Sequence, residues 1–210
     1  ASILIASIVA LTKDDLKARL AYSTVSQLSY ITLGMALANQ MGVIGGSMHI
    51  VTHAVGKITL FMCAGAIYVA AHKTKVSELD GLGRKMPVTF ICFTIAALSI
   101  IGLPPMGGSW SKWFLALGAA EVQQPVFIGV LMLSSLLSIA YLMPIVGRAF
   151  FLPPKAYVDE HGHEHEAQTT YKEGSPLCTL PLCLTALGCV ALFFWGGEVR
   201  DLLLPILEVR

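Results

Sequence analysis

An apolar stretch over about residues 88–120 cannot cross a bilayer as one straight helix, and its own sequence supplies the interruption. At about 33 residues and 1.5 Å per residue it would extend about 50 Å, against a hydrocarbon core of about 30 Å. The run Gly-Leu-Pro-Pro-Met-Gly-Gly occupies 102–108. Proline lacks the amide hydrogen a helix needs, and glycine admits the sharp turns that follow. Gly102, Pro104, Pro105, Gly107 and Gly108 therefore mark a helix break between two half-helices. Irregular backbone at membrane depth survives only where it is buried in protein or lines a cavity. Lys112 follows this break inside the same stretch. A lysine at the centre of a membrane helix costs about 2.5–3.5 kcal/mol on the insertion scale, which makes it a functional-site candidate. A lysine near a helix end can instead snorkel to the interface, but apolar residues continue on both sides of the proline pair.

The rest of the chain agrees with a membrane setting. Only 13% of its 210 residues are charged and 55% are hydrophobic, where a soluble domain carries about 25% charged residues. Mean hydropathy is +0.72. Further apolar segments lie at about 17–38, 43–71, 125–151 and 176–196. With the opening run this predicts an all-α, polytopic transmembrane helix bundle of about six membrane segments, one of them discontinuous. Residues 1–11 are too few to span and lack the charged start of a signal peptide, so Ala1 is expected to lie partway through a helix of a longer protein.

Basic residues then orient the bundle. Lys13, Lys17 and Arg19 flank the first connection; Lys73, Lys75, Arg84 and Lys85 lie in the third; Arg148, Lys155 and Lys172 flank or lie in the fifth. The second and fourth connections carry none, and the tail holds only Arg200 and Arg210. The positive-inside rule places 12–19, 72–87 and 152–175 on the cytoplasmic side. Net charge is +1, and no basic patch with interleaved aromatics points to nucleic acid. Cys63, Cys92, Cys178, Cys183 and Cys189 fall in apolar segments without CxxC spacing, so they read as small hydrophobes and not as a disulfide or metal set.

His49, His53 and Lys57 stand at i, i+4 and i+8, which places all three on one helix face. Aligned ionisable groups inside a membrane form a plausible proton wire, since histidine titrates near neutral pH and a desolvated lysine can exchange its proton. The same spacing occurs in zinc proteases, but their motif needs glutamate where this chain has Ile50. A cross-helix hydrogen bond by one histidine is the other competing account. Tyr22, Ser23, Thr24, Ser26, Gln27, Ser29 and Tyr30 make the preceding segment polar, suited to helix packing or to bordering water. Ser134, Ser135 and Ser138 read as packing residues. The tract His-Gly-His-Glu-His-Glu at 161–166 could bind a metal, but its polar, acidic loop reads as solvated linker. No quinone, flavin or nucleotide motif and no catalytic residue set is present, so neither cofactor nor metal is expected.

Four stretches, in order, carry a family resemblance. They are Asp-Leu-Lys-Ala-Arg-Leu-Ala-Tyr-Ser-Thr-Val-Ser-Gln-Leu-Ser-Tyr (15–30), Thr-His-Ala-Val-Gly-Lys (52–57), Gly-Leu-Gly-Arg-Lys-Met-Pro (81–87) and Gly-Leu-Pro-Pro-Met-Gly-Gly-Ser-Trp-Ser-Lys (102–112). Together they resemble the proton-translocating antiporter-like membrane subunits of respiratory complex I, membrane hydrogenases and Mrp-type Na⁺/H⁺ antiporters. The resemblance implies two inverted repeats of about five helices each, with one discontinuous helix per repeat. Residues 1–151 would be the second repeat, its first helix truncated; 152–175 a polar loop; 176–210 an additional transmembrane helix and tail. Lys57, His53 and His49 would lie on the central hydrophilic axis, and Lys112 at the outlet half-channel. The charged residues of the first repeat have no counterpart in this sequence. Ser109 stands where the family commonly has phenylalanine.

The implied function is a proton-translocating subunit of a monovalent cation/proton antiporter in a membrane such as the bacterial plasma membrane. Its partners would be lipid, other membrane subunits, protons and Na⁺. The loop at 152–175 and the Pro-Leu-Cys-Leu-Thr-Ala-Leu-Gly-Cys run after it look most like the Mrp-type antiporter members of the family, with the complex I members close behind. A non-conducting scaffold is the alternative of another class.

Overall fold

The computed structural model describes residues 1–154, 157–158, 164–165 and 172–208. Eight α-helices follow one another: α1 (Ser2–Thr12), α2 (Leu16–Ala36), α3 (Gln40–Ala71), α4 (Pro87–Ile101), α5 (Gly108–Glu121), α6 (Pro125–Phe151), α7 (Pro176–Phe194) and α8 (Gly196–Glu208). A two-residue antiparallel pairing, Tyr157–Val158 with Glu164–His165, is the sole extended pairing among the described residues apart from a bridge between Asp15 and Lys75. The 161–166 tract otherwise lies outside the described residues.

Local chemistry sets the ends of these helices. The Asp15 carboxylate accepts a hydrogen bond from Ala18 N at 2.7 Å and so caps α2, a device that typically contributes about 1 kcal/mol. Asn39 does the same for α3 at Gly42 N, 3.0 Å. Pro87, Pro125 and Pro176 open α4, α6 and α7, at the one helical position where a missing amide hydrogen costs nothing. Between α4 and α5, residues 102–107 form the expected break, and the Pro104–Pro105 peptide is cis. The α3, α6 and α7 helices are each long and apolar enough to cross a membrane. Hydroxyls and amides make α2 more polar, and α4 and α5 span only as a pair.

The α3 helix is the axis of the bundle, packed against α2, α4, α5, α7 and α8, while α1 lies against α2 and α6. Lipid removes the hydrophobic drive for helix association, so close approach through small residues takes its place. A Cβ on Gly34 of α2 would stand 2.5 Å from Gly42 O of α3. One on Gly45 of α3 would stand 2.6 Å from Leu115 N of α5. Below this crossing Leu60, Ile67, Phe90, Phe93, Tyr141 and Ile145 form part of one buried apolar cluster.

The connections assort by end. Val76 N donates to Asp14 O, Gly81 N to Arg148 O and Arg84 Nε to Phe150 O, which joins the first and third connections to the end of α6. Arg148 Nε reaches Asp80 Oδ1 at 2.8 Å there. At the opposite end Asn39 Nδ2 donates to Gly118 O and to Glu121 Oε2, each at 2.8 Å, joining the second and fourth connections. Basic loops and neutral loops thus occupy opposite ends of the bundle. The expected tail after the last membrane helix is itself helical, as α8. Its Val199, Leu203 and Leu204 pack on Ile44, Met48 and Phe114.

Candidate functional site: a line of basic and aromatic side chains

His49, His53 and Lys57 share one face of α3, as their spacing requires, and all are buried: 2%, 7% and 6% exposed. The two imidazoles stack with centroids 5.7 Å apart and planes 22° apart. Above them, Tyr30 of α2 stacks on His49 at 5.2 Å and 16°. Lys112 Nζ lies 5.2 Å from the centroid of that same Tyr30 ring. Lys112, Tyr30, His49 and His53 therefore form one file, with Lys57 on the next turn of α3. Tyr30 joins the two groups of residues that sequence spacing singles out separately.

Each lysine is held by one backbone carbonyl and one serine hydroxyl. Lys57 Nζ donates to Leu20 O at 3.0 Å and to Ser23 Oγ. Lys112 Nζ donates to Ile101 O at 2.8 Å and to Ser135 Oγ at 3.0 Å. Among the described residues no carboxylate forms an ion pair with either. An ammonium held by neutral oxygens can release its proton without leaving an uncompensated anion beside it, and the amine that remains can still donate hydrogen bonds.

The break itself makes the Lys112 pocket. Ile101 O would receive its helical hydrogen bond from residue 105, but Pro105 has no amide hydrogen. The lysine takes the acceptor that this frees, at the carbonyl end of α4 where positive charge is favoured. Gly102 makes room for it: φ is 88°, and a Cβ there would lie 2.7 Å from Lys112 Cδ. Gly108 allows the chain to re-enter helix beside α4, because its Cβ would meet Ser99 O at 1.9 Å. The freed Gly107 amide donates to Cys189 O of α7 at 2.9 Å. Ser109 Oγ donates to Met106 O at 2.8 Å within the break, so its hydroxyl is satisfied locally.

His49 is tied to the same break. Its Nδ1 lies 2.9 Å from Ser111 Oγ, and the Ser111 hydroxyl donates to Gly108 O at 3.0 Å. With that proton committed, Nδ1 of His49 is the donor, and its Nε2 keeps the lone pair. Neither His49 Nε2 nor His53 Nε2 has a hydrogen-bond partner among the described residues. In the tautomer that the Ser111 hydrogen bond favours, the His49 Nε2 lone pair faces no donor.

One feature differs from the sequence expectations, and two others lie outside them. Ser135, expected to pack helices, is a direct partner of Lys112. Its signal is the row of hydroxyls at 134, 135 and 138, a helical repeat facing one side. Ser111, one residue before the lysine, binds His49, and nothing in the sequence pairs the two. The tryptophans beside Lys112 do separate work. Trp110 Nε1 donates to Phe193 O at 2.8 Å and joins α5 to α7, whereas Trp113 turns outward, 61% exposed. No cluster of three or more potential metal ligands occurs among the described residues.

Comparison with known proteins places this geometry. Residues 1–138 match the family described as NADH:quinone oxidoreductase/Mrp antiporter, TM. NADH-quinone oxidoreductase subunit N of Desulforudis audaxviator is 36% identical over 201 residues, covering 95% of this chain and 40% of its own length. The chain thus spans about two fifths of that relative. The Mrp complex of Dietzia sp. DQ12-45-1b contains a chain with the same fold, TM-score 0.83 at 23% identity, over 96% of this chain and 44% of that one. Respiratory complex I of Thermus thermophilus contains another, TM-score 0.80 at 22% identity, over 96% and 41%. The chain is an integral membrane protein that belongs to the NADH:quinone oxidoreductase/Mrp antiporter transmembrane family.

Proposed function

We propose that this chain forms part of a subunit that moves protons across the membrane, passing them along Lys57, His53 and His49 and exchanging them at Lys112. The carrying observation is the file in which part-buried Lys112 and buried His49 flank the Tyr30 ring and His53 stacks on His49. Two lysines on neutral oxygens sit at its ends, with histidine bases between them. A charge change at one lysine alters the field at the other, and that coupling can give transfer a direction. A scaffold that only packs against partners gains nothing from burying two lysines, each at a cost of about 2.5–3.5 kcal/mol on the insertion scale.

For the assembly we favour a monovalent cation/proton antiporter of the Mrp type, exchanging protons for Na⁺ with other membrane subunits as partners. The polar loop at 152–175 and the sequence after it support this. The 36% identity to a subunit of NADH-quinone oxidoreductase supports the alternative, a redox-driven pump, about as well. In either case the membrane would be the bacterial plasma membrane, with the basic connections facing the cytoplasm.

The test is Lys112→Ala in the full-length subunit, within its assembled complex in proteoliposomes. Proton translocation is expected to disappear while assembly, followed by native electrophoresis, survives. Normal translocation in a stably assembled variant refutes the role. In the same vesicles, proton movement driven by a Na⁺ gradient identifies the antiporter, and movement that requires NADH oxidation identifies the redox pump. Loss of both His49 and Lys57 with transport intact would point to the scaffold.

A further inference from the structure

A second set of polar side chains joins the same two lysines along a different face. Ser23, the partner of Lys57, lies beside the hydroxyl of Tyr141 on α6, which also faces Gln27 and Ser138. Tyr141 Oη and Ser138 Oγ are 3.0 Å apart, and Ser138 donates to Ser134 O at 2.9 Å. One turn further along, the Tyr30 hydroxyl lies near those of Ser134 and Ser135, and Ser135 meets Lys112. Apart from the Tyr30 hydroxyl, none of this uses the file that contains the α3 histidines.

Gln27 stands in the middle. It is fully buried, and neither atom of its amide has a hydrogen-bond partner among the described residues; the same holds for the Tyr30 hydroxyl. Buried amides are almost always paired, and where protein offers no partner, ordered water does so. On α6, Ser138 at the Tyr141 hydroxyl and Ser134 near the Tyr30 hydroxyl stand one turn, about 5.4 Å, apart. A water hydrogen-bonded on both sides bridges oxygens about that far apart. By contrast, Ser7 and Ser26 both donate to Ile3 O and hold α1 in place, so they close the side of this seam.

We propose that Ser23, Tyr141, Gln27, Tyr30 and Ser135 form a second proton route between Lys57 and Lys112, completed by water bound at the Gln27 amide and parallel to the histidine route. It rests on the proton-translocating reading above. One proton leaves the Lys57 ammonium and one arrives on the neutral amine of Lys112. Every hydroxyl and water between them accepts one proton on oxygen and releases its own, so none is left changed. Gln27 is a positioning residue: it holds the water and transfers nothing itself.

The experiment uses the full-length subunit in its assembled complex, with Lys112→Ala as the baseline. His49→Leu/His53→Leu is expected to retain measurable proton translocation. Adding Gln27→Met and Tyr141→Phe to that pair should lower it to the baseline, and restoring Gln27 alone should recover part of the rate. Gln27→Met keeps side-chain volume, so an assembled complex with reduced rate reports lost water and not lost packing. The proposal is overturned if the histidine pair alone already sits at the baseline, or if the added changes leave the residual rate untouched. Wild-type rates in Lys112→Ala would instead defeat the underlying reading, whatever the seam does.

Discussion

The two lysines occupy opposite kinds of backbone yet receive the same pair of ligands, one carbonyl and one serine hydroxyl. Lys57 lies on an unbroken helix of 32 residues and must reach across to α2. The carbonyl it finds there, Leu20 O, also accepts from the hydroxyls of Ser23 at 2.8 Å and Thr24 at 2.9 Å. Lys112 lies just past a break, and Ile101 O comes free because Pro105 offers it no amide. On its continuous helix Lys57 finds only a backbone carbonyl that is already occupied. A broken helix supplies an unshared one, at the cost of backbone that must be satisfied elsewhere, here by α7 through Gly107 and Cys189.

Four substitutions, two of them a matched pair, test that contrast. The largest effect is expected from Gly108→Val. With a Cβ 1.9 Å from Ser99 O, α5 cannot re-enter beside α4; the overpacking cost, about 1–3 kcal/mol or more, should abolish folded subunit on a native gel. Recovery of normal amounts would mean that α5 need not approach α4 this closely. A middle effect comes from the matched pair Ser23→Ala and Ser135→Ala. A hydrogen bond to a charged group contributes about 1.5–3 kcal/mol. Loss of Ser23 should lower transport by the larger factor, since Lys57 is left with a shared carbonyl while Lys112 keeps an unshared one. The reverse order of rates in proteoliposomes would break the comparison. The smallest is Gly65→Ala on α3. A Cβ there meets nothing within 4 Å, so the helix should gain about 0.5–1 kcal/mol and the complex should melt slightly later with unchanged transport.

Much of this is legible in the sequence where the relevant physics is local. Helical spacing alone aligns His49, His53 and Lys57, and the proline pair with its glycines locates the break. Alternation of basic and neutral loops sorts the connections by end, and the structure joins them in those groups. What escapes is long-range or weakly patterned. The α8 segment opens with Gly196 and Gly197 and contains Pro205, all poor helix formers. It is helical because Val199, Leu203 and Leu204 find an apolar surface on α3 and α5. Ser135 looks like packing because its partner lies 23 residues earlier on another helix.

By itself, then, the sequence determined that this chain lies in a membrane, where it breaks, and which lysines stand within its apolar segments, because hydropathy, proline and helical period act over a few residues. Only the tertiary structure decided that Tyr30 would lie between Lys112 and His49. That depends on the height at which α2 meets α3 and α5, which is set by backbone contact at Gly34, Gly42 and Gly45. Those glycines are visible in the sequence, but what they touch is not: a close approach belongs to two helices at once.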